Sequence, residues 1–245
     1  MTDELDRSRA LASTTDCAVC GKPLVYAADS VARVCDLCGT EQTTMIFCPE
    51  GHFVCDACHG AAAMNVVRRV LATTTSCDPV AILEQVMAHP ALPMHGPEHH
   101  AIVPGVLIAA ARNAGAAVPD GALETVLARA VEVPGGWCGY YGACGAAVGV
   151  GIAVSVLTDA TPLRGEQRSL ALAATSQALA RMVDDQPRCC KRASRIAVEA
   201  AVECLREHLA IDLTAGEREP CAYTTRNAQC ARERCPFFGG SEQRR

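Results

Sequence analysis

The sequence predicts a mainly α protein, with a small N-terminal β-hairpin module followed by an all-α helical domain. Three observations predict this. Cysteine, histidine and turn residues crowd positions 17–60 between short β-prone runs. From Gly60 onward apolar residues recur at helical spacing, punctuated by capping and stop signals. After that point strand signal almost vanishes.

Residues 1–16 are polar and charged and read as a flexible lead-in. In the module at 17–60, Gly21, Pro23, Gly39, Pro49 and Gly51 mark turns, and Leu24–Tyr26, Met45–Phe47 and His52–Val54 are β-prone. Seven of the sixteen cysteines lie between Cys17 and Cys58. They read Cys17-x2-Cys20, Cys35-x2-Cys38 and Cys48-x3-His52-x2-Cys55-x2-Cys58. A Cys-x2-Cys turn aims both thiolates into one concavity, and two such turns close a four-coordinate site. Eight ligands satisfy two tetrahedral zinc ions, which makes the module zinc-ribbon-like or cross-brace-like. Sequential pairing groups Cys17, Cys20, Cys35 and Cys38, leaving Cys48, His52, Cys55 and Cys58. Interleaved pairing groups Cys17 and Cys20 with Cys48 and His52, and Cys35 and Cys38 with Cys55 and Cys58. His59 can stand in for His52. So small a segment cannot fold on buried apolar area alone, and bound metal supplies the missing free energy.

The helical domain is expected over 61–213. Ala61–Leu71 follows the module. Asp78-Pro79 reads as N-cap and first helical residue of a helix through Met87. Pro97 opens a helix to Asn113, with Pro104 inside it and Gly115 as its stop. Asp120 caps a helix to Val131, and Ala143–Leu157 is a glycine-rich one. Thr161-Pro162 starts a helix reaching Val183, and Cys190–Leu209 forms the last, with Ile196, Ala200, Leu205 and Leu209 in register. Residues 214–245 read as an irregular tail containing Cys221, Cys230 and Cys235.

Half of the residues are hydrophobic but only 4% are aromatic, so a sizeable core must be built from small side chains. The net charge of −5 and pI near 5.8 show no basic patch, which argues against a nucleic-acid partner. No apolar leader precedes the module, so a reducing cytoplasmic setting is expected, where thiols bind metals or do redox chemistry. The longest apolar run, Ala146–Leu157, is far short of the ~20 residues of a membrane span.

Three further groups of residues carry chemistry. In Gly135–Gly145, Cys138 and Cys144 sit among five glycines, whose backbone N–H groups can converge on an anion such as a cluster sulfide or thiolate. Cys144 precedes a helix, whose dipole should lower its pKa. In Arg188-Cys189-Cys190-Lys191-Arg192, adjacent thiols are flanked by cations that favour thiolate. In Met94-His95-Gly96-Pro97-Glu98-His99-His100, three imidazoles and a carboxylate start a helix and suit proton transfer. The Cys235-Pro236 step of the tail fits an iron–sulfur ligand, and Cys204 and His208 stand one helical turn apart.

Met94–His100 with Val103-Pro104, Trp137–Gly145, Arg188–Arg192 and the cysteine-rich tail together resemble an uncharacterised prokaryotic family of unknown function, common in anaerobes. The resemblance covers most of residues 60–240 and implies a link to anaerobic cofactor or radical chemistry. Trp137–Gly145 with the later cysteine pair is also similar to small redox proteins with a Cys-Gly-Cys-rich signature. Here Cys138 and Cys144 stand six apart, where that signature clusters them.

The function expected first is a metal-binding protein with two structural zinc ions and a thiol or iron–sulfur site for redox or sulfur chemistry. Cys138, Cys144 and Cys189 would bind the cofactor. Cys189 and Cys190 would act with His95, Glu98, His99 and His100, serving an unidentified redox or protein partner and neither nucleic acid nor membrane. Two alternatives compete: a non-enzymatic zinc-dependent interaction module, and a metal-dependent hydrolase or lyase centred on His95–His100.

Overall fold

β-Branched and aromatic residues at the front of the chain build a three-stranded antiparallel sheet. Its strands are β1 (Leu11–Asp16), β2 (Pro23–Val34) and β3 (Glu41–Phe47), in the order β1-β2-β3. In this computed structural model the described residues are 11–17, 22–36, 39–89, 91–216 and 218–239; for 11–16 and 57–62 only the backbone is described. Part of the expected lead-in is therefore strand. Leu11 and Ala12 pair with Tyr26 and Val25, and the ladder draws in the threonine-rich stretch behind them. His52–Val54, expected to be β, forms no strand. Its backbone bonds the turn after β2 instead: Asp36 N–H donates to Phe53 O (2.8 Å), and Phe53 N–H donates to the Asp36 carboxylate (2.7 Å).

Register decides which turns lie together. Val25 faces Phe47 at one end of the β2–β3 ladder and Val34 faces Glu41 at the other. The turn before β2 and the turn after β3 thus share one end of the sheet. The β2–β3 turn lies at the other end, a strand of 12 residues away.

The chain divides into two compact units, Met1–Ala61 and Ala62–Arg245. The helices are α1 (Asp56–Thr73), α2 (Pro79–Ala88), α3 (Glu98–Asn113), α4 (Ala122–Ala130), α5 (Trp137–Tyr140), α6 (Gly145–Leu157), α7 (Gly165–Arg181) and α8 (Cys190–Leu209). The protein is mainly α. Asp78 caps α2, its carboxylate accepting from Val80 N (2.8 Å) and Ala81 N (3.2 Å). Several boundaries shift from expectation. α1 starts at Asp56, before Ala61. Gly121, at φ +69°, takes the N-cap position of α4 in place of Asp120. α7 starts at Gly165, because the residues after Thr161-Pro162 form a turn first. Short α5 carries no amphipathic pattern and was not foreseen.

α3 is the central helix. Residues Glu98–Ala111 are all buried, and α3 packs against α2, α4, α6 and α8. Such all-round burial needs an all-round apolar sequence, which Ala101–Ala111 supplies. Each fully buried Val, Leu or Ile contributes about 1.5–3 kcal/mol. α6 lies against both α3 and α7. A Cβ on Gly151 would stand 2.9 Å from the Ala171 carbonyl of α7, so the missing side chain permits this close approach. Among the described residues, no helix is long and apolar enough to cross a membrane.

The tail forms one 3₁₀ turn (Arg232–Arg234) and packs onto the helical unit. Tyr223 and Phe237 join its core, and Cys221 N–H donates to Phe237 O (2.7 Å).

Candidate metal centre and buried thiol site

In the front unit each first ligand is held by a backbone bond closing its turn. Cys17 N–H donates to Lys22 O (2.7 Å), Cys35 N–H to Thr40 O (2.9 Å) and Cys48 N–H to His52 O (3.1 Å). The ligand atoms of Cys17, Cys48 and His52 all lie within 4.8 Å of one another, the two cysteines being buried. This group can hold a metal ion. Glu50 N–H donates to Cys48 Sγ (3.4 Å), which stabilises negative charge on that sulfur. The exposed Lys22–Glu50 ion pair (2.8 Å) ties the same two turns and adds little energy. At the other end of the sheet Cys55 N–H donates to Cys35 Sγ (3.3 Å), and both cysteines are buried. The expected ligands Cys20 and Cys38, and the side chains of Cys58 and His59, lie outside the described residues.

In the helical unit three blocks distant in sequence meet. The first contributes the start of α3. His95, Glu98, His99 and His100 are all buried. His95 Nε2–H donates to Asn227 Oδ1 (3.2 Å), His99 Nδ1–H to Gly96 O (3.2 Å) and His100 Nδ1–H to Val133 O (2.9 Å). These bonds leave His95 Nδ1 and His99 Nε2 without hydrogen-bond partners among the described residues. Burial, helped by the nearby Arg188 charge, lowers the His95 pKa to about 4. Burial, then Lys191, holds His99 well below the usual imidazole range. Near pH 7 both rings are neutral, instead of titrating there as their residue type suggests. No three ligand atoms of this block come within 4.8 Å of one another among the described residues.

The glycine-rich block supplies α5 and the start of α6. Cys138 is exposed and Cys144 is half-buried as the N-cap residue of α6. A Cβ on Gly145 would fall 2.3 Å from the His100 ring, so this glycine lets α6 begin against the histidine block. The expected lowering of the Cys144 pKa is reversed. Burial raises it, outweighing the N–H groups of Ala146 and Ala147.

The third block starts α8, and its residues diverge. Cys189 is the N-cap, with Sγ accepting from Arg192 N (3.5 Å) and Asn227 Nδ2 (3.6 Å). Cys190 turns toward the first block, where Gly96 N–H donates to its sulfur, and lies within electrostatic reach of Cys144. The residue keeps some solvent contact, yet protein surrounds the thiol, and desolvation pushes its pKa up to about 12. Burial also raises Cys189, against the pull of Arg192. The flanking cations therefore do not bring these thiol pKa values down, against expectation. Arg192 spends its charge on Asp184 (3.1 Å), while Lys191 points inward. Lys191 is 1% exposed, donates from Nζ to Met87 O (3.1 Å) and lies 4.9 Å from the Tyr223 ring centre, and burial lowers its pKa to about 8. Cys204 is packed in the core.

Asn227 joins two blocks. Its amide donates to Cys189 Sγ while its carbonyl accepts from His95. No sequence signal pointed to Asn227. Lys191 could have been noticed as a cation in an otherwise apolar helix stripe.

The fold and these sites define a mainly α, cysteine-rich protein with a metal-capable group in the front sheet unit and half-buried thiols where three loops and helix starts meet. The chain belongs to the family of unknown function DUF5714, whose model matches residues 67–238. No curated protein and no solved structure matches it.

Proposed function

We propose that this chain is a metal-binding protein in which two zinc ions hold the front module in an interleaved cross-brace, and the helical unit carries thiol-based redox or sulfur-handling chemistry. The observation that carries the metal reading is the approach of Cys17 to Cys48 and His52. Sheet register supports it, since the Cys17 and Cys35 turns flank opposite ends of β2. A single ion with Zn–S bonds of about 2.3 Å cannot bridge a strand of that length. Cys20 completes the first site. Cys35 and Cys55, already in contact through an N–H···S bond, form the second with Cys38 and Cys58. Full protein ligation makes both ions architectural.

For the helical unit, the support is Asn227 binding Cys189 and His95 at once, which makes the twin cysteines and the histidine block one site. Protonated thiols there would release their protons when a metal or an oxidant arrives, and the neutral imidazoles offer nitrogen lone pairs to receive them. An exchange of electrons or sulfur with a partner protein fits the half-buried position of Cys189.

Zinc counting on double variants tests the pairing. The wild type should hold two zinc ions, Cys17→Ser one, Cys17→Ser/Cys48→Ser still one, and Cys17→Ser/Cys35→Ser none. Sequential pairing requires the last two results to be exchanged.

A further inference from the structure

We propose that Cys189, Cys221, Cys230 and Cys235 form a further metal centre, an iron–sulfur cluster site between the start of α8 and the tail. The inference deepens the thiol-site reading by naming ligands, three of which lie outside the block that carried it.

All four of these cysteines line one small hollow that is partly open to solvent. The tail brings its three there by folding back: Cys221 N–H bonds Phe237 O, and Tyr223 and Phe237 are buried in the core. Cys189 arrives from the other side as the N-cap of α8.

The sulfurs are supplied with hydrogen-bond donors. Cys189 accepts from Arg192 N and Asn227 Nδ2, and Cys230 accepts from Arg232 N (3.4 Å). The last bond repeats the residue offset seen at Cys48 in the front metal group, N–H of residue i+2 to Sγ of residue i. Such bonds stabilise thiolates bound to metal and tune cluster potential.

The cavity wall also carries a buried guanidinium. Arg195 lines it, is 5% exposed, and uses Nε (2.5 Å) and Nη2 (2.8 Å) on Glu84. The guanidinium also donates to the Cys221 sulfur beside it. A cationic donor on that sulfur would stabilise it as a metal-bound thiolate.

Spacing separates a cluster from a single zinc ion. Tetrahedral zinc with bonds of about 2.3 Å requires sulfurs roughly 3.8 Å apart. No three of these four sulfurs fall within 4.8 Å of one another, although Cys17, Cys48 and His52 do. Ligands around several irons stand further apart than ligands around one ion. Met94, Tyr223 and Phe238 form apolar walls that limit water at the site.

The test uses the full chain purified without oxygen and incubated with ferrous iron, sulfide and a thiol reductant. Iron and acid-labile sulfide in about 1:1 ratio, with visible absorption, are expected beside the zinc of the front module. Cys221→Ser and Cys230→Ser should each lose the iron, sulfide and colour while keeping zinc and helical circular dichroism. Cys77→Ser, at an exposed position outside the cavity lining, should keep all of them. Should Cys221→Ser fail to fold, the partly exposed Cys230 position gives the deciding variant. Wild-type protein without iron, iron retained in Cys230→Ser, or zinc in place of iron at these cysteines would overturn the proposal. Zinc counts from the same samples judge the cross-brace separately, so one reading can fall without the other.

Discussion

At the scale of single residues, burial outweighs charge at Cys189, Cys190 and Lys191. Arg188, Lys191 and Arg192 surround two thiols, yet Cys190 is pushed up to about 12 because desolvation penalises a thiolate more than those cations reward it. Iodoacetamide at pH 8 should therefore label exposed Cys138 in folded metal-free protein and spare Cys190 until denaturant is added; rapid labelling of Cys190, read by mass spectrometry, would show that the charges win. His95 gives a pH prediction. Its folded pKa near 4 lies below the value of about 6.5 for an unfolded chain, so unfolding lets the ring take a proton that the folded chain refuses. Its contribution is intact above pH 6.5 and is lost as pH falls toward 4, amounting to about 2 kcal/mol at pH 5. Imidazole NMR resonances of His95 and His99 should stay in the neutral form from pH 8 down to 5.5, and a midpoint near 6.5 would contradict their burial.

At the scale of elements, small side chains set the helix spacing that the scarce aromatics cannot. Gly151 of α6 meets α7 with Thr175 Oγ1 and the Ala171 carbonyl in the space a Cβ would need. Thr175 can rotate away, but a helix carbonyl cannot. Gly151→Ala should cost about 1–3 kcal/mol through overpacking, and Thr175→Ala added to it should recover only part of the loss. Chemical denaturation measures both; an unchanged midpoint for Gly151→Ala would mean that α6 and α7 are not in close contact. The glycine spacing was readable beforehand, but the helix it faces was not.

At the scale of the whole helical unit, the tail is structural. The Arg195 guanidinium carbon lies 5.2 Å from the Phe237 ring centre and 5.7 Å from that of Tyr223, while its nitrogens grip Glu84 of α2. One arginine on α8 thus clamps α2 and the tail together. Phe237→Ala should cost roughly 3–5 kcal/mol, as for a buried aromatic in any core. A loss below about 0.5 kcal/mol, within the range of surface substitutions, would mean the tail is not docked.

The order of the long helices, the Asp78 cap, the bounds of α8 and the metal-capable Cys/His spacing of the front unit were all legible in the chain itself, because spacing, capping and turn chemistry act within a few residues. Conformation at Gly121 and the short α5 escaped notice, since neither carries an apolar rhythm. Tertiary structure alone decided that Cys17 sits beside Cys48 rather than Cys35, that Cys189 and Cys190 face different neighbours, and that three tail thiols share a cavity with the first of them. Strand register, desolvation and the folding back of a tail arise between segments far apart in sequence. No local pattern of residues encodes which of many equivalent sulfurs will be neighbours.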